Sequence, residues 1–78
     1  MLTGKRFRLE RATLGVGNSE NGKRRAVTIP AGAIIQVASG PNNDDGMVHV
    51  HWDDQVVEMF LIDVNVRGTE ISDQGANA

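Results

Sequence analysis

The chain has 78 residues, no cysteine and a formal net charge of −2. Its length makes one domain, and the lack of cysteine excludes disulfides and thiolate metal sites as stabilising elements. Residues 1–5 lack the apolar segment of a signal peptide and no apolar run approaches a membrane span, so we expect a cytoplasmic protein. Because so small a core is marginal, association with other copies is the remaining way to stabilise the fold.

Basic and acidic residues divide between two parts of the chain. Residues 1–30 carry seven basic and two acidic side chains, a net +5, whereas the rest carries one basic and eight acidic side chains, a net −7, and together they give −2. Such a division is typical of a nucleic-acid-binding face. It is equally typical of oppositely charged strands that lie side by side.

The first predicted strand is Lys5–Leu9. Phe7 and Leu9 alternate with Arg6 and Arg8, so the apolar pair is expected to face the core and the two arginines the solvent. After it we predict a loop over residues 15–22, because glycines recur there and its last two residues suit the positive φ of a tight turn.

Two extended segments are predicted next. Arg24–Ile29 is extended, since the residue before a proline avoids helical backbone, and Pro30 ends it. Ala33–Ala38 is the next strand, with Ile35 and Val37 inward and Gln36 outward.

Met47–Phe60 is the clearest signal, because two alternating runs flank Asp53-Asp54 as in a β-hairpin. Closing the hairpin with these two aspartates as the loop places four apolar residues on one face, which we assign to the core. The expected pairs are Trp52 with Gln55, His51 with Val56, Val50 with Val57, His49 with Glu58 and Val48 with Met59.

After the hairpin, Leu61–Asn65 is predicted to form a helical or 3₁₀ turn and Thr69–Ile71 a last short strand. Residues 72–78 are predicted to be a disordered tail, which leaves residues 1–71 as the single domain. We therefore expect an all-β fold, a small five-stranded closed barrel with one helical turn before the last strand.

Two segments carry a family resemblance. Val27–Val37 resembles the step with proline and glycine between strands of SH3-like barrels, and Met47–Phe60, followed by Asp63-Val64 and Arg67-Gly68, resembles short uncharacterised bacterial proteins with the same barrel pattern. The resemblance implies an SH3-like barrel and is silent on function. Asp54 stands where that group usually has glycine.

The outer face of the hairpin is the first candidate site. His49 and His51 share this face, and Glu58 is expected opposite His49, so the three side chains suit either a zinc site or a solvated cross-strand contact. Apolar residues also lie here, as on a subunit interface, with Ile34 from the neighbouring strand. The predicted interface consists of Met47, His49, His51, Val56, Glu58 and Phe60.

The basic residues are the second candidate site. A nucleic-acid face is predicted to use Arg6, Arg8, Lys23, Arg24 and Arg25, because small barrels bind nucleic acids through such strands and loops. The acidic overall charge and the lack of an aromatic residue among these basic positions argue against it.

Other motifs are incomplete. Gly17–Lys23 spells a phosphate-binding loop, but Arg24 stands where serine or threonine must hold magnesium. Trp52 has no tyrosine with which to form a proline-binding groove, and it is expected to cover one end of the barrel. No convincing Ser–His–Asp set is present, so we predict no enzyme and no cofactor. The sequence thus predicts a non-catalytic binding or assembly module that self-associates, with a nucleic-acid-binding domain as the alternative and an enzyme whose site is shared between subunits still open.

Overall fold

The structure is a computed structural model that describes residues 2–18, 21–41 and 46–71. Within these ranges the chain forms seven β-strands and one helix. The elements are β1 Arg6–Leu9, β2 Thr13–Asn18, β3 Arg24–Ile29, β4 Ile34–Ser39, β5 Met47–Trp52, β6 Gln55–Phe60, α1 Leu61–Arg67 and β7 Gly68–Ile71. The predicted disordered tail at residues 72–78 lies outside the described residues.

All described strands belong to one antiparallel sheet with the order β3-β2-β6-β5-β4-β1-β7. The all-β class is confirmed. The sheet has seven strands rather than the expected five, and it is open, with β3 and β7 at its two edges. Three pairings join strands that follow each other in the chain, β2–β3, β4–β5 and β5–β6, and β1 joins distant parts of the chain by pairing with both β4 and β7.

The sheet has more strands than expected partly because β2 is a strand. The sequence predicts a loop from residue 15 in this segment. That prediction is wrong for residues 15–18, which continue β2. Gly15 and Gly17 are buried there, and a Cβ added at Gly15 would overlap Val57 Cγ1 and lie 3.0 Å from the carbonyl oxygen of Glu58. These glycines therefore serve the close approach of β2 to its neighbours rather than a turn.

The β5–β6 hairpin has the predicted register. All five expected pairs are present, and Met47 opposite Phe60 extends them. Asp53 and Asp54 have φ values of 54° and 59°, and positive φ at both central residues is the geometry of a type I′ turn. Asp54 therefore adopts the positive φ that glycine usually supplies at the second central position of such a turn.

The core lies on the inner face of the sheet and is closed at one end by α1. Its buried apolar residues come from every strand except β2 and β7, and Val64 of α1 is buried with them. The helix extends the predicted turn by two residues, to Arg67. The core residues are Phe7, Leu9, Ile29, Ile35, Val37, Val48, Val50, Val57, Met59 and Val64.

Replacing Asp54 by glycine is expected to stabilise the fold. Left-handed backbone costs an L-residue about 1–2 kcal/mol, and glycine adopts it without this cost. Glycine also makes the unfolded chain more flexible, which offsets part of the gain in stability. We expect Asp54→Gly to raise the free energy of unfolding in urea by about 0.5–1 kcal/mol. Asp54→Ala removes the same carboxylate without relaxing the backbone and should not stabilise; equal gains in both variants would contradict the turn assignment.

Candidate functional site

The structure brings all six predicted interface residues onto the outer face of β5 and β6. They form three cross-strand pairs, Met47 with Phe60, His49 with Glu58 and His51 with Val56. His51, Val56 and Phe60 are exposed, while Met47, His49 and Glu58 are half-buried. Along the two strands they alternate with the buried residues Val48, Val50, Val57 and Met59, so this alternation separates the outer face from the apolar interior.

A row of polar side chains crosses this outer face. Ser39 Oγ lies 3.4 Å from His49 Nδ1, and His49 Nε2 lies 3.4 Å from Glu58 Oε2. Arg24 donates through Nη2 to Glu58 Oε1, so the row continues to β3. Exposed pairs of this kind contribute about 0.2–1 kcal/mol each and mainly orient the side chains.

The order of groups in this row is that of a hydroxyl, an imidazole and a carboxylate. Catalytic triads hold these groups closer together, beside backbone donors directed at the reacting oxygen. Here the Ser39–His49 and His49–Glu58 contacts are both long, and Ser39 is exposed on the face of the sheet. Arg24 donates a hydrogen bond to one carboxylate oxygen of Glu58. We interpret the row as cross-strand polar contacts that hold Glu58 in place.

An apolar groove of about 290 Å³ lies beside the polar row. Its large exposed apolar residues are Leu14 on β2, with 65% of its surface accessible, and Phe60 at the end of β6, with 52%. Glu58 and Asp63 add two carboxylates to its lining. The remaining lining residues are Gly15, Val16, Ala26, Met47 and Met59.

The sequence does not predict Leu14 and Val16 as interface residues, because Val16 lies within the predicted loop at residues 15–22 and Leu14 directly precedes it. The signal was present as an alternation: Thr13, Gly15 and Gly17 are buried, whereas Leu14 and Asn18 are exposed. Since β2 pairs with β6 at Val16 and Glu58, this alternation places Leu14 and Val16 on the same face as the predicted interface.

The predicted nucleic-acid residues lie in two separate places. Arg6 and Arg8 are on β1 and Arg24 and Arg25 on β3, preceded by Lys23, and four strands lie between β1 and β3 in the sheet order.

Acidic groups lie among these basic ones. Arg8 Nε is 3.5 Å from Glu10 Oε2, and Arg24 contacts Glu58. Arg6 shares a cavity of about 390 Å³ with Asp53 and Asp54. The uneven charge along the sequence therefore becomes interleaved charge on the folded surface, which is the second of the two interpretations that the sequence left open.

Trp52 ends β5 next to the turn, and it is half-buried against the core. It lines the cavity that holds Arg6 and, on the other side, a cavity of about 250 Å³ with Asn18, Arg25, Val27 and Gln55. Its position at one end of the strands agrees with the covering role expected for it.

The Gly17–Lys23 motif lies between two strands. Gly17 belongs to β2, and Lys23 is followed directly by β3 rather than by the helix that a phosphate-binding loop needs. In the described parts of the chain, no cluster of three or more histidine and carboxylate side chains is arranged to hold a metal ion. No helix in those parts is long and apolar enough to cross a membrane. Comparisons of the chain with protein-family models, curated proteins and solved structures found no match.

Proposed function

We propose that this chain is a non-catalytic binding and assembly module whose copies associate through the outer face of β2, β5 and β6. The observation that carries the proposal is the apolar groove between Leu14 and Phe60, which leaves two large apolar side chains mostly in water. Contiguous apolar surface bordered by polar groups is typical of protein interfaces.

The size of the domain supports the same proposal. A core this small supplies only about 3–5 kcal/mol of net stability. Burying a leucine or phenylalanine completely contributes about 1.5–3 kcal/mol, and a two-fold interface buries each of them twice. Self-association through this face therefore adds stabilisation to a small fold, in the amount that remains after the cost of association.

The proposal includes a cytoplasmic, bacterial SH3-like barrel as the scaffold. Its support is the run of five neighbouring strands β7-β1-β4-β5-β6, with α1 inserted between β6 and β7, where the sequence pattern of such barrels has its helical turn. The β2–β3 hairpin is then an addition at the β6 edge of this five-stranded unit, and it contributes Leu14 and Val16 to the groove.

Replacing both exposed side chains of the groove is expected to dissociate the assembly. We expect the wild-type chain at about 100 μM to elute above its monomer mass of 8.4 kDa in gel filtration with light scattering, and Leu14→Ser/Phe60→Ser to elute as the monomer. Both positions are exposed, so circular dichroism should show an unchanged fold.

Val66→Ser is the matched control, because Val66 is also exposed but lies on α1 and does not line the groove. It should leave the assembly intact. A wild-type chain that is monomeric at this concentration would reject self-association, and an equal effect of Val66→Ser would reject this face as the interface.

Nucleic-acid binding through Arg6, Arg8, Lys23, Arg24 and Arg25 is the competing proposal. This proposal requires that the affinity of the chain for a nucleic acid falls as the salt concentration rises. The affinity must also fall when these residues are replaced by alanine. The separation of β1 from β3 and the contact between Arg24 and Glu58 favour assembly over it.

A further inference from the structure

One edge of the sheet is formed by β3, a six-residue strand that pairs with β2 on one side. Among the described residues, no strand pairs with its other side. In an antiparallel strand every second residue directs its N–H and C=O away from its partner, so β3 presents a row of backbone donors and acceptors. The opposite edge, β7, is shorter, with four residues.

Each face of β3 carries one arginine, and the two arginines have different surroundings. On the outer face, Arg24 is engaged by Glu58. On the other face, Arg25 stands opposite Gly17, which has no side chain, and both Arg25 and Val27 line the cavity of about 250 Å³. Asn18, Gln55 and Trp52 complete the lining of this cavity.

We propose that β3 binds an extended segment of a partner protein as an eighth strand, and that an aspartate or glutamate side chain of this segment enters the cavity beside Arg25. The backbone row of β3 supplies the hydrogen bonds of strand addition, and the cavity supplies specificity for one side chain. A guanidinium pairs with a carboxylate through two parallel hydrogen bonds, and the side-chain amide of Gln55 adds a further donor.

Charge complementarity selects this occupant over a second copy of the same strand. Pairing β3 with another β3 would bring no carboxylate to the cavity beside Arg25, because Arg24–Ile29 contains no acidic residue. An acidic segment instead meets three basic residues, of which Arg25 faces the cavity. The proposal uses the edge and the cavity face of β3 and does not depend on self-association through the outer groove.

The test uses a fluorescent eight-residue peptide in which glutamate alternates with threonine, titrated with the full chain at about 50 mM salt. We expect saturable binding by anisotropy, and in NMR the largest amide shifts over Arg24–Ile29. Arg25→Ala is expected to weaken binding about tenfold, because it removes the charge-assisted hydrogen bonds to the carboxylate of the segment. Arg11→Ala, which removes the same charge from the exposed β1–β2 connection, should change the affinity less than about twofold.

Two further peptides separate strand addition from simple charge attraction. A peptide with N-methylated amides at alternate residues keeps its charge but loses its backbone donors, and it should not bind. A peptide with lysine in place of glutamate should not bind either. The proposal is overturned if the first peptide shows no saturable binding, if N-methylation has no effect, or if Arg11→Ala and Arg25→Ala weaken binding equally. The mass of the wild-type chain by light scattering reports self-association separately.

Discussion

Gly15→Ala is expected to cost most of the stability of the domain, about 3 kcal/mol. The added methyl group would overlap Val57 Cγ1 in the core and press against the carbonyl oxygen of Glu58, which belongs to the backbone and cannot rotate away. Overpacking of this kind costs about 1–3 kcal/mol and sometimes more. Urea unfolding followed by the fluorescence of Trp52, the only tryptophan of the chain, measures the loss.

Gly17→Ala is the graded control on the same strand and the same face. Its Cβ would lie 3.1 Å from Val27 Cγ2, a side-chain atom on the exposed hairpin, so a loss below about 1 kcal/mol is expected. Val57→Ala should reduce the cost of Gly15→Ala in the double variant, because it removes one of the two clashes. Equal losses for the two glycine variants would show that β2 does not approach β6 at Gly15.

Ile35→Ala is expected to destabilise the domain by about 3 kcal/mol as well. Its side chain has no accessible surface, and truncating a buried isoleucine leaves a cavity and typically costs 2–5 kcal/mol. In a domain of this size, such a loss leaves a substantial unfolded population at 25 °C. The same urea titration, supported by the thermal midpoint, measures it.

The neighbouring isoleucine provides the control. Ile34 is 50% accessible and points to the opposite face of β4, so Ile34→Ala should change the free energy of unfolding by less than about 0.5 kcal/mol. Because Ile34 lies on the outer side of the sheet, both variants are compared at a protein concentration where the chain is monomeric. Similar losses at the two positions would reverse the assignment of faces in β4.

The β5–β6 hairpin shows how far local pattern reaches. Its register follows from two facts that are close together in sequence: apolar residues at every second position, and two aspartates where the chain must reverse. A shift of the pairing by one residue would expose Val48 and Val50 to solvent. Because one face of the hairpin must be buried, only one register is stable. The candidate interface on the other face, from Met47 to Phe60, follows from the same register.

β2 shows where local pattern fails. Glycine is common in turns, and Gly15 and Gly17 with Asn21-Gly22 resemble a long loop. The requirement for glycine comes instead from Val57 and Glu58, which are distant in sequence, and from Val27 across the β2–β3 hairpin. With β2 misread, Leu14 and Val16 could not be placed in the groove.

The charges show the same limit. The sequence reveals an excess of basic residues before position 31 and of acidic residues after it. It does not reveal that Arg24 contacts Glu58, or that Lys5 Nζ lies 3.6 Å from Glu70 Oε2, because these contacts depend on which strands are neighbours. Basic and acidic side chains that are separated along the sequence therefore lie next to each other on the folded surface.

Alternation and turn chemistry were thus sufficient for the all-β class, for the hairpin and its register, and for the inward residues of β1, β4, β5 and β6, because each depends on residues a few positions apart. Long-range pairing was needed for the seven-stranded order, the apolar groove and the exposed β3 edge. These features arise where β2 meets β6 and where β1 joins β4 to β7, and the pattern of one segment alone does not specify which distant segment becomes its neighbour.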